Sequence, residues 1–220
     1  MKTKSKLLAL LCAISINVGA AEQAASGFEG ELGIGYASEY FYRGVQVAEE
    51  STQIKASLTT DASVADVFLD AFVNQGLQST DSYLFAVGLA NSYLNDKVDI
   101  RIGYLHREDT PGVAADELFV GVGVDSLLNP NVTIYQDLND DLTTAELSLT
   151  EGFDLEVVDL CVHGGVGTSE TSADSWNYYT VGAKVSKEFG GLIASAGVDY
   201  VDAEDADDET VFSAGLSIKF

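Results

Sequence analysis

Apolar and polar residues alternate singly along much of the chain, which is the period of a β-strand. In one stretch Val98, Ile100 and Ile102 are separated from one another by single charged residues. Successive side chains of a strand face opposite sides, so one face is apolar while the other carries charges and small residues. The same pattern predicts twelve strands, at Phe28–Tyr40, Ser51–Thr60, Ala65–Gln75, Asp81–Tyr93, Lys97–Arg107, Asp116–Val124, Asn131–Leu138, Leu142–Glu151, Leu155–Val166, Asn177–Lys187, Leu192–Val201 and Thr210–Phe220.

The number and length of these segments predict an all-β fold, an antiparallel transmembrane β-barrel of about 12 strands. A water-soluble barrel has its apolar face inside, and periodicity alone does not orient the faces. Glycines and charges share one face here, which favours a wet lumen over a packed core. Longer connections such as 41–50 and 167–176 alternate with short ones, as in bacterial barrels.

The amino-terminal segment has the pattern of a cleavable secretory signal. Three lysines precede the apolar run Leu7–Val18, and the small residues Gly19–Ala21 follow it. We therefore predict a signal peptide at residues 1–21, export through the Sec pathway, and a single barrel domain at 22–220. Cys161 is the one cysteine of that domain, which excludes an intramolecular disulfide.

The charge of the chain is strongly negative, with 11 basic and 35 acidic side chains. Loss of the predicted signal removes three lysines and leaves a formal charge of −27. This balance argues against nucleic acid as a partner. The composition still indicates an ordered protein, because 46% of the residues are hydrophobic and 20 are Tyr or Phe.

The last strand resembles the closing strands of bacterial outer-membrane barrels, which end on an aromatic residue. In those proteins the barrel-assembly machinery recognises this strand, so the resemblance implies an assembly signal at Leu216, Ile218 and Phe220. It also implies a location in the outer membrane of a Gram-negative bacterium, with membrane lipid and lipopolysaccharide as partners. The alternative is the edge strand of a soluble sandwich.

A short motif lies at the end of the first strand. Its residues are Ser38, Tyr40, Tyr42, Arg43 and Gly44. The motif resembles the Ser-x-Tyr-x-Tyr/Phe-Arg-Gly stretch of a family of Gram-negative outer-membrane porins, which implies a small monomeric barrel that passes small solutes. Tyr42 and Arg43 are predicted to anchor the first loop, with Arg43 pairing with an inward carboxylate such as Glu39. The alternative is direct solute binding.

The charged face supplies the predicted lining of a pore. Its members are Glu31, Glu39, Lys55, Asp66, Asp70, Asp99, Arg101, Glu117, Glu146, Asp159, Lys184 and Asp199. An open lumen with this acidic excess would attract cations and repel anions. We therefore predict a porin-like channel for passive passage of small hydrophilic solutes, with weak cation selectivity. The alternative is a closed structural or adhesion-type barrel, in which the same charges form an ion-paired filling.

Metal and cofactor sites are not predicted. Asp202–Glu209 contains six carboxylates in eight positions, but their spacing lacks the pattern of a dedicated calcium loop. We interpret it as solvated charge that bridges loosely to lipopolysaccharide through Ca²⁺ or Mg²⁺. Cys161 and His163 provide too few ligands for zinc.

Catalysis is the third hypothesis, because some outer-membrane barrels hydrolyse lipids on their outer wall. The alternation places His106 on the lipid-facing side of its strand, near the predicted outer rim and beside Glu108. No serine in a recognisable catalytic motif accompanies it. We therefore predict that the protein is not an enzyme.

Overall fold

The computed structural model describes residues 28–77, 80–204 and 207–220 and folds them into a closed antiparallel barrel. Its strands are β1 Phe28–Tyr42, β2 Val45–Asp61, β3 Asp66–Gly76, β4 Asp81–Tyr93, β5 Val98–Thr110, β6 Val113–Val124, β7 Asn131–Asp137, β8 Leu142–Asp154, β9 Asp159–Thr171, β10 Ser175–Phe189, β11 Leu192–Ala203 and β12 Glu209–Lys219. Each strand pairs with its sequence neighbours, and β1 pairs with β12 to close the barrel. The predicted fold class is confirmed, whereas the predicted signal peptide at 1–21 lies outside the described residues.

Within the described ranges, no helix has the length and apolarity of a membrane span.

Several strands are longer than predicted. The predicted loop at 41–50 is wrong, because β1 continues to Tyr42 and β2 begins at Val45. Likewise β9 continues to Thr171 and β10 begins at Ser175. Residues 41–50 leave the barrel wall and pack into the interior, where Ala48 is buried. The extensions of β9 and β10 lie outside the apolar band, where the outer face meets water. In both cases the apolar–polar alternation fades while the hydrogen-bonded ladder continues.

The apolar face of the sheet points outward. On β6, Leu118 is 52% exposed, whereas its neighbours Glu117 and Phe119 are buried. The rings of Phe119 and Phe68, on β3, have centroids 6.1 Å apart, although β3 and β6 are not adjacent strands. These rings meet only through the interior, so the face with charges and small residues is the inner one.

The two ends of the barrel differ in their connections. We call the end with the β1–β2 turn the first-turn end. The opposite end, where Phe28 and Phe220 lie, we call the terminal end. There the backbone of Phe220 exchanges two hydrogen bonds with Gly30, of 2.7 and 2.9 Å, and extends the seam between β1 and β12.

Candidate solute pathway and its closed end

The first turn has the backbone of a two-residue hairpin loop. Both central residues have positive φ, 51° at Arg43 and 78° at Gly44, as a type I′ turn requires. Asn and Gly favour this conformation, and a residue such as arginine is less stable in it by about 1–2 kcal/mol. The backbone therefore does not explain the arginine, and its side-chain contacts do.

Arg43 forms a buried, bidentate ion pair with Glu117. Its Nη1 and Nη2 atoms lie 2.6 and 2.7 Å from the two carboxylate oxygens, and the two side chains are only 8% and 3% exposed. The guanidinium also lies 3.8 Å from the ring centroid of Tyr135. Such fork geometry and ring stacking are the strong forms of arginine contact. Because Glu117 belongs to β6 and Tyr135 to β7, the first turn reaches across the barrel interior.

The other side of the first turn packs against β10. Trp176 Nε1 donates a hydrogen bond of 3.3 Å to the carbonyl of Arg43. A Cβ atom at Gly44 would lie 2.7 Å from Cβ of Tyr178, and one at Gly167 would lie 2.2 Å from Cζ of the same tyrosine. Only glycine fits at these two close approaches. The first turn is therefore held between β6–β7 and β10.

A second arginine extends this cluster. The guanidinium of Arg107 lies 4.0 Å from the ring centroid of Tyr42 and pairs with Asp109. The hydroxyl of Ser82 donates a hydrogen bond to the same carboxylate. Asp109 is buried, and a buried charge is costly unless it is paired and hydrogen-bonded; here Arg107 supplies the counter-charge and Ser82 a hydrogen bond. On β10, the hydroxyl of Tyr178 donates a 2.5 Å hydrogen bond to Glu146.

All twelve strands contribute a buried side chain to the interior at the first-turn end. None of these residues is more than 9% exposed, and they are Ala37, Ser51, Asn74, Ser82, Asp109, Glu117, Asp137, Thr144, Ser169, Tyr178, Ala203 and Val211. We call them the closing layer. An open lumen would leave such wall residues in contact with water, so the interior is filled at this level.

Towards the terminal end the interior is open. Lys184 and Asp159 are exposed on the inner face, and the glycines and serines of β11, β12 and β1 are partly exposed there. His163 Nε2 lies 2.5 Å from Asp199 Oδ1, in space that a Cβ atom at Gly182 would obstruct at 2.0 Å from the same oxygen. We call this open, polar part of the lumen the vestibule.

The predicted pore-lining residues separate into three groups. Glu117 and Glu146 belong to the filled region around the first turn, whereas Glu39 lies at the rim, where Gln46 Nε2 donates a 2.9 Å hydrogen bond to it. The others have interior positions in the strand register, namely Glu31, Lys55, Asp66, Asp70, Asp99, Arg101, Asp159, Lys184 and Asp199. Among them Arg101 pairs with Asp70 at 3.0 Å.

The suggested pairing of Arg43 with Glu39 is wrong, because Arg43 pairs with Glu117 instead. Glu39 lines a rim cleft of about 440 Å³ together with Glu49, Glu50 and Glu209. Sequence reasoning also missed Tyr135, Trp176 and Tyr178 as contacts of the first turn. The only local signal was the arginine itself, at a turn position that favours asparagine or glycine.

His106 lies on the outer wall in a hydrogen-bonded cluster. Its Nδ1 is 2.8 Å from Asp116 Oδ1, and Asn139 Nδ2 donates a 3.0 Å hydrogen bond to the other carboxylate oxygen. The hydroxyl of Tyr104 donates a hydrogen bond to the same carboxylate. Among the described residues no serine is hydrogen-bonded to His106, so this histidine has an acidic partner but no nucleophile beside it.

Across the part of the chain that the structure describes, no three or more His, Cys, Asp or Glu residues are arranged to hold a metal ion.

Solved structures with the same fold include porins of the outer membrane. The chain superposes on the NanC porin with a TM-score of 0.58 and 12% identity, covering 87% of this chain and 100% of that one. The KdgM porin, solved in complex with disordered oligogalacturonate, has a TM-score of 0.57 and 9% identity and covers 86% and 99% of the two chains. LpxR from Salmonella typhimurium has a TM-score of 0.52, 12% identity and coverage of 86% and 99%.

No protein-family model and no curated protein matches the sequence. Identities this low establish the fold alone, which is the closed 12-strand antiparallel barrel of outer-membrane porins.

Proposed function

We propose that the protein is a porin-like channel of the Gram-negative outer membrane that passes small hydrophilic solutes passively through its lumen. The observation that carries this proposal is the wet, polar vestibule inside a barrel whose outer face is apolar. A packed core is apolar, whereas a transmembrane barrel has a polar interior and a lipid-facing apolar wall. The shared fold with the KdgM and NanC porins supports the same proposal.

We further propose a weak preference for cations. Around the first turn, four interior carboxylates outnumber two guanidinium groups, and these six residues are Asp109, Glu117, Asp137, Glu146, Arg43 and Arg107. Fixed negative charge in a narrow pathway attracts cations and repels anions. Oligogalacturonate, with which KdgM was solved, is a polyanion, so an acidic interior argues against ligands of that class for this protein.

Planar-bilayer recordings of the purified protein test both statements. We expect discrete current steps and, in a potassium chloride gradient, a reversal potential with the sign of the potassium equilibrium potential. Absence of steps from correctly folded protein would favour the second candidate, a closed structural or adhesion-type barrel, which the filled closing layer also suggests. A reversal potential that follows chloride would contradict the cation preference alone.

We also propose that Leu216, Ile218 and Phe220 act as the signal for the barrel-assembly machinery after Sec export, and that the outer wall meets lipid and lipopolysaccharide. The supporting observation is that all three side chains are exposed near the seam of the barrel. We expect Phe220→Ala to lower the amount of protein recovered in the outer-membrane fraction, while refolding in detergent stays efficient. Equal recovery of Phe220→Ala and wild type would argue against this signal.

A further inference from the structure

We propose that the hairpin formed by residues 38–50 is the gate of the channel, and that the Arg43–Glu117 ion pair is the latch that keeps it closed. We call this hairpin the flap. The inference rests on the proposed function, since a gate implies a pathway, and the experiment below separates the failure of one from the failure of the other.

The flap is paired with itself and not with the barrel wall. The ladder between β1 and β12 ends at Ala37 and Ser213, and the ladder between β2 and β3 ends at Ser51 and Gly76. Beyond these limits β1 and β2 pair only with each other. A hairpin in this position moves as a unit without opening the barrel seam.

The base of the flap carries two irregularities suited to a hinge. Glu50 has φ of 35°, in the left-handed region, and the register of the hairpin shifts between Tyr40 and Phe41. Among the described residues, two hydrogen bonds connect the base of the flap to the neighbouring chain segments. Phe212 N–H donates one of 2.9 Å to Ser38 Oγ, and Leu77 N–H donates one of 2.9 Å to the carbonyl of Glu50. Backbone change at such positions is how hinges absorb motion.

The flap fills the lumen at the first-turn end together with side chains of the wall. Twelve strands enclose an interior of intermediate width, and the same wall leaves the vestibule open at the terminal end. At the first-turn end the space is occupied by the flap, with the ring of Tyr40 5.2 Å from that of Phe72 and Arg43 against Tyr135. Movement of the flap out of the interior therefore removes its part of this filling and widens the pathway through the closing layer.

Three features assign the latch to Arg43. Among the described residues, its contact with Glu117 is the one ion pair between the flap and the wall, and it is bidentate and buried. Its backbone position favours Asn or Gly, so an arginine there is explained by its side chain. Separation of a buried ion pair is costly when it leaves one charge buried without its partner, so the pair resists movement of the flap away from Glu117.

The first test compares Arg43→Asn with wild type in planar bilayers. Asparagine suits the type I′ turn, so this variant removes the latch and keeps the hairpin. We expect the fraction of time in the open state to rise by about tenfold or more, the change that corresponds to loss of one charge-assisted contact. Arg43→Asn/Glu117→Gln removes the stranded carboxylate as well, and it should open equally while folding normally by circular dichroism.

The matched control is Lys187→Asn, which removes a cation lying 5.6 Å from the ring of Phe189 on the outer wall. We expect the open fraction of this variant to equal that of wild type. If wild type conducts, and both Arg43 variants conduct with the same open fraction, the latch is wrong and the proposed function stands.

A second readout uses Cys161, which lies on the inner face beyond the closing layer and is partly exposed. A cationic methanethiosulfonate reagent is added outside sealed vesicles that hold the protein in both orientations. Molecules with the terminal end outside should react fast, and the others only after passage through the closing layer. We expect Arg43→Asn to accelerate the slow phase by about tenfold and Lys187→Asn to leave it unchanged.

The labelling result also distinguishes the two failures. If no variant conducts and the slow phase is absent in all of them, the proposed function fails. If the slow phase is present but has the same rate in wild type and both Arg43 variants, the gate fails whatever the currents are.

Discussion

Replacement of Glu117 by alanine is expected to destabilise the barrel by about 3–5 kcal/mol, because it leaves a guanidinium buried without its counter-charge. Arg43 is 8% exposed and lies between β6, β7 and β10, so it has little access to water while the flap is closed. The free energy of unfolding is measured in urea with the protein in lipid vesicles. The fluorescence of Trp176, the only tryptophan in the sequence, reports on the site directly, because its indole N–H is hydrogen-bonded to the carbonyl of Arg43.

Two variants control this prediction. Arg43→Asn/Glu117→Gln leaves no charge without a partner and is expected to lose on the order of 1–2 kcal/mol, the cost of the lost hydrogen bonds. Glu108→Ala removes an exposed carboxylate and should change the stability by less than about 0.5 kcal/mol. A loss for Glu117→Ala as small as that for Glu108→Ala would contradict the buried pair.

The strand pattern was predictable because it is local. Leu118, Val120 and Val122 alternate with Glu117 and Phe119 whatever the rest of the chain does, since lipid on one side and the interior on the other impose period two. The ends of the strands were not predictable in this way. Between Phe41 and Glu50 the hairpin leaves the barrel wall and packs into the interior, where Ala48 is buried, so lipid and lumen no longer impose the alternation although the ladder continues.

The contents of the lumen depend on contacts that no local pattern encodes. Ser51, Asn74 and Ser169 have the small polar side chains of a wet wall, but they are fully buried beneath the closed end. Whether such residues meet water depends on which connection folds inward. Arg43 and Glu117 are 74 positions apart, so their pairing follows from barrel topology and not from spacing. The sequence left an open and a closed lumen as alternatives, and the structure has a vestibule at one end and a filled layer at the other.

The orientation of the two faces predicts a large difference in stability between lysine substitutions at two adjacent positions of β8. Leu147 is 39% exposed on the outer wall, whereas Ser148 faces the interior between Gly165 and Asn131. Leu147→Lys is expected to destabilise the barrel in lipid by about 2–4 kcal/mol, because the ammonium group would enter the hydrocarbon near the middle of a lipid-facing strand. Ser148→Lys gives the same charge a polar, partly hydrated lumen and should cost less than about 1 kcal/mol.

Urea unfolding in lipid vesicles measures both variants, and the comparison is internally matched because one strand carries both lysines. In a water-soluble barrel the lysine at 147 would be harmless in solvent, and the lysine at 148 would be buried in a core. That reversed order would contradict both the assignment of the apolar face to lipid and the proposed channel. The order expected here would instead assign the charged face to the lumen. Ser148→Lys should then also move the reversal potential towards the equilibrium potential of chloride, because the added ammonium group offsets the interior carboxylates that attract cations.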